Sequence, residues 1–342
     1  MINRLTVIRT QSTNPYRNLA LEETLLSQVA DDEVILYLWQ NRQTVVIGRN
    51  QSALAECRVQ SLESDGGFLA RRLSGGGAVY HDLGNVNFTF IARTDNFNKD
   101  MQTDVILHAV KSLGLDAEKN GRNDLTVDGR KFSGHAYYKT KDRCYHHGTV
   151  MLYVDKEKLT RYLNVSPLKL KTKGVSSVKS RVVNLCELDP AITVEKVFEQ
   201  LKKSFSQIYG HNVAEIAETD VDTDLLKKLE ARYSSPEYKY GSSEILPHTV
   251  EARFDWGQVR TDFELSKDPE PVFTKVLFYT DGLDADYLSH IKEYLLNTKA
   301  EKESIFEALT AFENNTANGA ANEKNGIAGD ITNMLTEYLR RI

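Results

Sequence analysis

The chain has 342 residues, 41% hydrophobic and 27% charged, with a formal net charge of -5. This length suits two domains, or one large domain with an appendage. The composition is that of a globular protein, and the acidic balance argues against a general nucleic-acid or anionic-membrane binder. Three cysteines, Cys57, Cys144 and Cys186, form no CxxC pair, which fits a reducing compartment and not a disulfide framework. MINRLTVIRT has no apolar leader, and no run of ~18 apolar residues occurs, so a cytoplasmic location is expected.

Residues 5–9 predict a short strand. Asn14-Pro15 supplies a helix cap and a first-turn proline, and the helix runs to about Ala30. Leu19, Glu22, Leu26 and Val29 share one face of it. If buried, Glu22 requires a partner; the helix alone favours a solvated rim. Val34–Trp39 and Thr44–Arg49 are β-rich runs joined by a short polar link, which predicts a hairpin.

Arg71–Phe90 reads RRLSGGGAVYHDLGNVNFTF, and strands are expected at Phe68–Leu73 and Val86–Ala92. Val86, Phe88 and Phe90 face one way, Asn87 and Thr89 the other. Arg71 and Arg72 alternate too, so only one should enter a pocket. Three glycines let a ligand approach backbone N–H groups, and a row of such groups makes an anion-binding concavity. Flanking arginines add forked donors suited to phosphate or carboxylate. The stretch reads as a nucleotide or acyl-phosphate cradle; a glycine-rich hairpin with solvated arginines fits the glycines equally well. It has neither the Lys-Ser/Thr ending of the P-loop nor a GxGxxG opening a helix.

Thr103–Leu113 predicts a helix stopped by Gly114. Gly121-Arg122-Asn123-Asp124 precedes a hairpin turn at Asp128-Gly129, then Lys131 and Ser133-Gly134. His146-His147-Gly148-Thr149 leads into a strand at Val150–Val154, and short helices are expected at 155–163 and 166–172. Thr193–Tyr209 is amphipathic and ends at Gly210. Residues 234–247 read as a linker. Strands are expected at Thr249–Asp255, Val259–Leu265 and Val272–Thr280, helices near 284–297 and 301–312, a mobile polar stretch at Asn314–Asn325 and a last helix bearing Ile327, Ile331, Leu335 and Leu339. This C-terminal unit shows no obvious catalytic cluster.

Lys131 beside a turn and a Ser-Gly pair could act as a point charge on phosphate; a plain surface lysine is the bland reading. Asn123 and Asp124 could hold Mg²⁺ against a phosphate, or form an ordinary Asx turn. His81, His146 and His147 do not make a zinc set: neighbours on a strand point apart, and no thiolate pair or HExxH spacing completes one. One histidine on a substrate and one packed is the better reading. The cysteines read as small buried hydrophobes.

The 71–90 segment, GRNDLTVDGRKFSGHAYYKTKDRCYHHGT, GVSSVKSRVVNL at 174–185, NLALEE and LYLWQNRQTVVIGRNQ together resemble the lipoate–protein ligase A family. The resemblance is continuous through residues 5–210 and looser beyond. It implies an α/β (α+β) fold: a mixed-sheet catalytic domain of the biotin/lipoate-ligase type with a small α/β C-terminal domain. The expected division is 1–240 catalytic, 241–248 linker and 249–342 accessory, the last a mobile cap. The GRGRxGR-type signature of biotin ligases is absent.

The resemblance also implies a two-step reaction. Lipoate and ATP give lipoyl-AMP and pyrophosphate; a carrier lysine then takes the acyl group and AMP leaves. The expected carriers are acyltransferase subunits of 2-oxoacid dehydrogenases and the glycine cleavage H protein, with no nucleic acid or membrane partner and a monomeric enzyme. By correspondence of motifs, Arg72, Ser74, Gly77, Ala78, Val79 and Tyr80 fall in the ATP-binding segment, and Asn123 and Asp124 in the adenylate and Mg²⁺ region. Lys131 touches both adenylate and lipoyl carbonyl. Glu22, Trp39, Arg72, Gly76, His81, His147 and Thr149 lie with Lys131 around lipoate. Tyr80 stands where some relatives have Phe. Leu19, Leu26, Trp39, Val79 and Phe88 are candidates for the apolar slot. The competing reading is an ATP-independent lipoyl or octanoyl transferase on the same fold, for which Cys57 or Cys144 would carry the thioester. Two further readings are an enzyme that uses only preformed lipoyl-adenylate and a non-enzymatic lipoate-binding regulator.

Overall fold

The strand at the middle of the molecule, Asn85–Arg93, is buried on both faces over almost its whole length. It has this position in a computed structural model that describes residues 2–121, 123–164, 182–241, 244–316 and 326–342. In chain order the strands are β1 (Arg4–Arg9), β2 (Glu33–Trp39), β3 (Thr44–Ile47), β4 (Phe68–Arg71), β5 (Val79–His81), β6 (Asn85–Arg93), β7 (Ala117–Asn120), β8 (Asp124–Val127), β9 (Arg130–Lys139), β10 (Arg143–Met151) and β11 (Val213–Ile216). Eight of them form one mixed sheet in the order β11-β1-β2-β6-β10-β9-β8-β7, and β4-β3-β5 form a small second sheet.

The alternation of β6 decides the layers. Val86, Phe88 and Phe90 pack against the helices Lys99–Lys111 and Val194–Tyr209. Ile91, with Tyr37 and Trp39 of β2, packs against Pro15–Gln28 and Thr223–Ser234. In chain order these long helices are α1 (Pro15–Gln28), α2 (Lys99–Lys111), α3 (Val194–Tyr209) and α4 (Thr223–Ser234). The Asn14 side chain accepts the Tyr16 N–H and Pro15 opens α1, as its sequence predicts. Gly210, at φ 73°, closes α3 in the left-handed region that favours glycine. Asp128 and Gly129, at φ 51° and 71°, make the tight turn between β8 and β9.

Three local expectations change. β2 and β3 do not form a hairpin: β3 pairs in parallel with β4 and antiparallel with β5. The chain leaves the large sheet after Trp39 because Asn18 of α1 binds the Gln40 carbonyl (2.9 Å) and the Asn41 side chain (2.9 Å). Within 234–247, Pro236–Tyr240 is a short helix capped by Ser235. Its Tyr238 and Lys239 carbonyls accept from Arg71, both at 3.0 Å, which ties that segment to β4. The strand expected at Val150–Val154 begins earlier, at Arg143. The helix expected at 166–172, residues 174–181 of the 174–185 motif and residues 317–325 of the polar stretch lie outside the described residues.

The C-terminal small domain has its own antiparallel sheet, β12 (His248–Phe254), β13 (Gly257–Leu265) and β14 (Phe273–Thr280). Helices Lys302–Thr316 and Ile327–Leu339 help to close a separate apolar core around Phe263, Phe273 and Phe312. It meets the rest of the chain largely through its backbone. The Thr280 N–H donates to the Asn50 carbonyl (2.8 Å), the Gly76 N–H to the Gly282 carbonyl (3.2 Å), and Asn50 Nδ2 to the Ala285 carbonyl (2.6 Å).

Candidate active site

A cavity of about 370 Å³ opens between the α1-side face of the large sheet, the 72–81 loop and the C-terminal domain. Its floor follows from strand register. Trp39 lies opposite Asn87, and Asn87 opposite Thr149. Thr149 Oγ1 accepts the Gly134 N–H (3.3 Å), and Gly134 lies opposite Asp124. All five line the cavity. The row crosses β2, β6, β10, β9 and β8, so at about 4.8 Å per strand it extends roughly 19 Å.

One end of the row carries charge. Lys131 Nζ sits 2.6 Å from Asp124 Oδ1, and both side chains are mostly buried. Lys131 crosses directly over Gly134: a Cβ there would lie 2.7 Å from Nζ and 2.9 Å from Cε. The Gly134 hydrogen thus leaves the space through which the amine reaches the cavity. Asn123 holds the start of β8 to β9, accepting the His135 N–H at its carbonyl (2.8 Å) and donating from Nδ2 to the His135 carbonyl (3.2 Å).

A buried polar chain crosses the middle. Trp39 Nε1 donates to Thr89 Oγ1 (3.1 Å), which donates to Glu22 Oε1 (2.7 Å). The same oxygen lies 2.8 Å from His147 Nδ1, and His147 Nε2 lies 2.8 Å from Ser74 Oγ. Arg72 Nε donates to Ser74 Oγ (3.0 Å), which leaves the serine hydrogen for His147 Nε2. Glu22 is therefore buried and partnered, not solvated at a rim, and its partner comes from 125 residues away. His146, on the opposite face, is packed between Gln102 and His135.

Both arginines are spent on carbonyls. Arg72 donates to Val46 (3.1 Å), Gly75 (2.7 Å) and Gly77 (2.9 Å). Burial without a carboxylate against it lowers its pKa to about 10. Arg71 donates to Gly48, Arg49 and Gln51. Arg72 lines the cavity and Arg71 does not. The triple glycine serves the domain contact as well as the cavity: a Cβ on Gly75 would lie 2.3 Å from the Gly282 oxygen, and the Gly76 N–H is bonded to that oxygen. Gly76, Gly77, Ala78, Val79 and Tyr80 wall the cavity.

The apolar slot differs from the expected set. Leu19, Trp39 and Val79 line the cavity, whereas Leu26 is packed into the helix-side core and Phe88 into the core on the far face. Phe88 follows Asn87 on β6, so it must point away from the row. Cys57 and Cys144 are buried, do not line the cavity, and have thiols pushed up by burial to about 12 and about 11. Among the described residues no cluster of three His, Cys, Asp or Glu could hold a metal, and no helix is long and apolar enough to cross a membrane.

Sequence reasoning missed several wall residues. Arg253, Asp255, Trp256 and Gln258, from the β12–β13 hairpin, line the cavity with Asp281. Arg253 Nη1 lies 3.4 Å from Asp281 Oδ2, and the Gln258 N–H donates to Asp281 Oδ1 (2.7 Å). The Asp255-Trp256-Gly257 turn was the available signal, but no local pattern says that it faces another domain. Asn85 and Asn87 were also missed as wall residues.

Residues 14–206 match the family model described as the lipoyl protein ligase A/B catalytic domain, and residues 246–328 that of the bacterial lipoate protein ligase C-terminus. Among solved structures the chain is similar to P. falciparum LipL1 in complex with lipoate, at 28% identity and TM-score 0.81 over 97% of this chain and 99% of that one. It is similar to a bipartite lipoate protein ligase from Thermoplasma acidophilum, described with its E2 lipoyl domain, at 28% identity and TM-score 0.63 over 72% of this chain and 100% of that one. It is also similar to a lipoate-protein ligase A bound with ATP, at 25% identity and TM-score 0.62 over 70% and 99% of the two chains.

Proposed function

From the premise that the chain belongs to the lipoyl protein ligase A/B family, we propose that it activates free lipoate with ATP and attaches the lipoyl group to carrier-domain lysines. The observation that carries this reading is the polarity of the row: an amine–carboxylate pair at one end, Trp39 and buried amides at the other. An amphiphilic acid would enter with its carboxylate toward Lys131 and its apolar end toward Trp39. The ATP-bound and lipoate-bound relatives support both substrates.

In the first step a lipoate carboxylate oxygen attacks the α-phosphorus of ATP, and the bond to pyrophosphate breaks. Lys131 neutralises charge where acid and phosphate meet, since such transfers depend on positioning and charge stabilisation. Arg72 acts differently from a phosphate clamp: its donors hold the 74–77 loop in shape, and its charge contributes through the field. In the second step the carrier amine attacks the acyl carbon, AMP leaves, and Lys131 stabilises the oxyanion. Asp124 would supply the single carboxylate that a Mg²⁺ needs alongside phosphate oxygens and water, and that ion would neutralise phosphate charge. The Glu22–His147–Ser74 chain fixes the middle of the slot.

The transferase reading is disfavoured because neither Cys57 nor Cys144 reaches the cavity and burial keeps both thiols protonated. Acyltransferase subunits of 2-oxoacid dehydrogenases and the glycine cleavage H protein are the proposed carriers; the Thermoplasma structure with its lipoyl domain supports the first class. We further assign residues 1–240 to catalysis, 241–248 to the connection and 249–342 to a cap that moves during the cycle, in a cytoplasmic monomer. The test is mass spectrometry of an unmodified lipoyl domain incubated with lipoate or with an octanoylated carrier, each with and without ATP. Modification only with ATP supports the ligase; modification from an octanoyl carrier without ATP, with a trapped acyl-cysteine, overturns it.

A further inference from the structure

Two buried hydrogen-bond donors beside Trp39 have no partner among the described residues. Asn18 Nδ2 donates to the Ser12 carbonyl (3.1 Å) and the Gln40 carbonyl (2.9 Å), which settles its amide orientation. Asn41 Oδ1 lies 2.9 Å from the same nitrogen and shares one of its two hydrogens, so Asn41 presents its NH₂ to His81 Nδ1 (3.2 Å). The His81 hydrogen therefore sits on Nε2. Burial first, then the charge of Arg72, holds the His81 pKa down at about 3, so the ring is neutral. On β6, Asn85 Nδ2 donates to Asn87 Oδ1 (2.8 Å), which leaves the Asn87 NH₂. Among the described residues His81 Nε2 and Asn87 Nδ2 have no hydrogen-bond partner; both are buried, and both residues line the cavity.

They belong to one place. Asn87 is the cross-strand neighbour of Trp39, and the Trp39 and His81 rings meet edge-on with centroids 6.2 Å apart. A buried donor left unpaired is costly, whereas a paired one is mildly favourable. A site built to donate hydrogen bonds also rejects an analogue that cannot accept them. We propose that His81 and Asn87 are specificity-determining residues that select an acid whose far end carries hydrogen-bond acceptors, such as the sulfurs of a cyclic disulfide, over a plain alkyl chain. This rests on the function proposed above and deepens it: the Trp39 end reads the ring, while Lys131 reads the carboxylate. Sulfur is a weak acceptor, so the two contacts together are worth about a 10-fold preference.

Dissociation constants measured by calorimetry on the full chain test this, with lipoate, octanoate and a keto-octanoate bearing its carbonyl near the chain end. The wild type should bind lipoate about 10-fold tighter than octanoate, and the keto acid tighter than octanoate although it is less hydrophobic. Asn87→Leu and His81→Phe should each bring the lipoate and octanoate affinities close together. Equal wild-type affinities, a keto acid weaker than octanoate, or an unchanged ratio in a variant with a wild-type melting profile overturns the inference. The wild-type series decides the matter even if both variants misfold. Equal binding of both acids with intact ATP-dependent activation sinks the inference alone; failure to bind either acid sinks the proposed function as well.

Discussion

Gly134 shows how much of the site depends on an absent side chain. Lys131 lies across it, and an added methyl would meet the flexible end of that lysine at 2.7–2.9 Å. Gly134→Ala should therefore displace the amine and leave the fold intact. Because misplacement of a reacting group by about 1 Å can cost 10²-fold, we expect turnover to fall by about that factor, with a melting temperature close to wild type. A large drop in stability with normal specific activity would contradict the geometry. Parts of this site were legible residue by residue. Arg72, residues 76–81, Lys131, Asp124, His147 and Thr149 all reach one cavity. Glu22 was not legible as buried, because the groups that satisfy it, Thr89 and His147, come from β6 and β10. Helix periodicity places a side chain on a face; it does not say what faces it.

Among elements, the triple-glycine segment is the one on which two parts of the molecule depend. Gly75 touches the Gly282 and Leu283 carbonyl oxygens so closely that a Cβ would stand 2.3 and 2.6 Å from them. Those are backbone atoms and cannot swing aside. Gly75→Ala should loosen the C-terminal domain from the 72–77 loop while both cores stay folded. Hydrogen exchange should then rise at Thr280 and Gly76, whose N–H groups donate across the contact, with α1 to α4 unchanged. Exchange that is unchanged at those two amides would show that the contact is not held there. Local signals placed the elements well wherever a cap or turn residue marks them, as at Asn14-Pro15, Asp128-Gly129 and Gly210. They failed for the supposed β2–β3 hairpin, where the partner of β3 is β4 and not its sequence neighbour. β11 and α4 also went unread: β11 is four residues long and half-exposed, so it carries no alternating pattern.

Across the whole molecule, three histidines are buried in the neutral form. Burial is the first cause in each case, lowering His81 and His135 to about 3 and His146 well below its ordinary value. In the unfolded chain these rings take up protons below about pH 6.5, and in the folded chain they do not. The folded state is thus at full strength above about pH 6.5 and loses stability as pH falls from there toward the folded values. One unit below the unfolded pKa, each ring costs about 1.4 kcal/mol, so the three together cost about 4 kcal/mol. Urea midpoints at pH 7.5 and 5.5 should differ accordingly, and equal stability at the two values would contradict the burial of these rings as neutral species.

The fold class and a C-terminal small domain were legible in the sequence, because long ordered motifs carry them. The shared wall of the cavity was not: Arg253, Trp256 and Asp281 reach it only through the docking of two separately cored units. The proposed activity requires Lys131 to act where the acid carboxylate meets the nucleotide. The most direct measurement is lipoate-dependent exchange of labelled pyrophosphate into ATP, in the wild type and in Lys131→Ala. Exchange that requires lipoate, and that falls by about 10²–10³-fold in the variant, is the predicted result. No exchange in the wild type, or full exchange in Lys131→Ala, would contradict it.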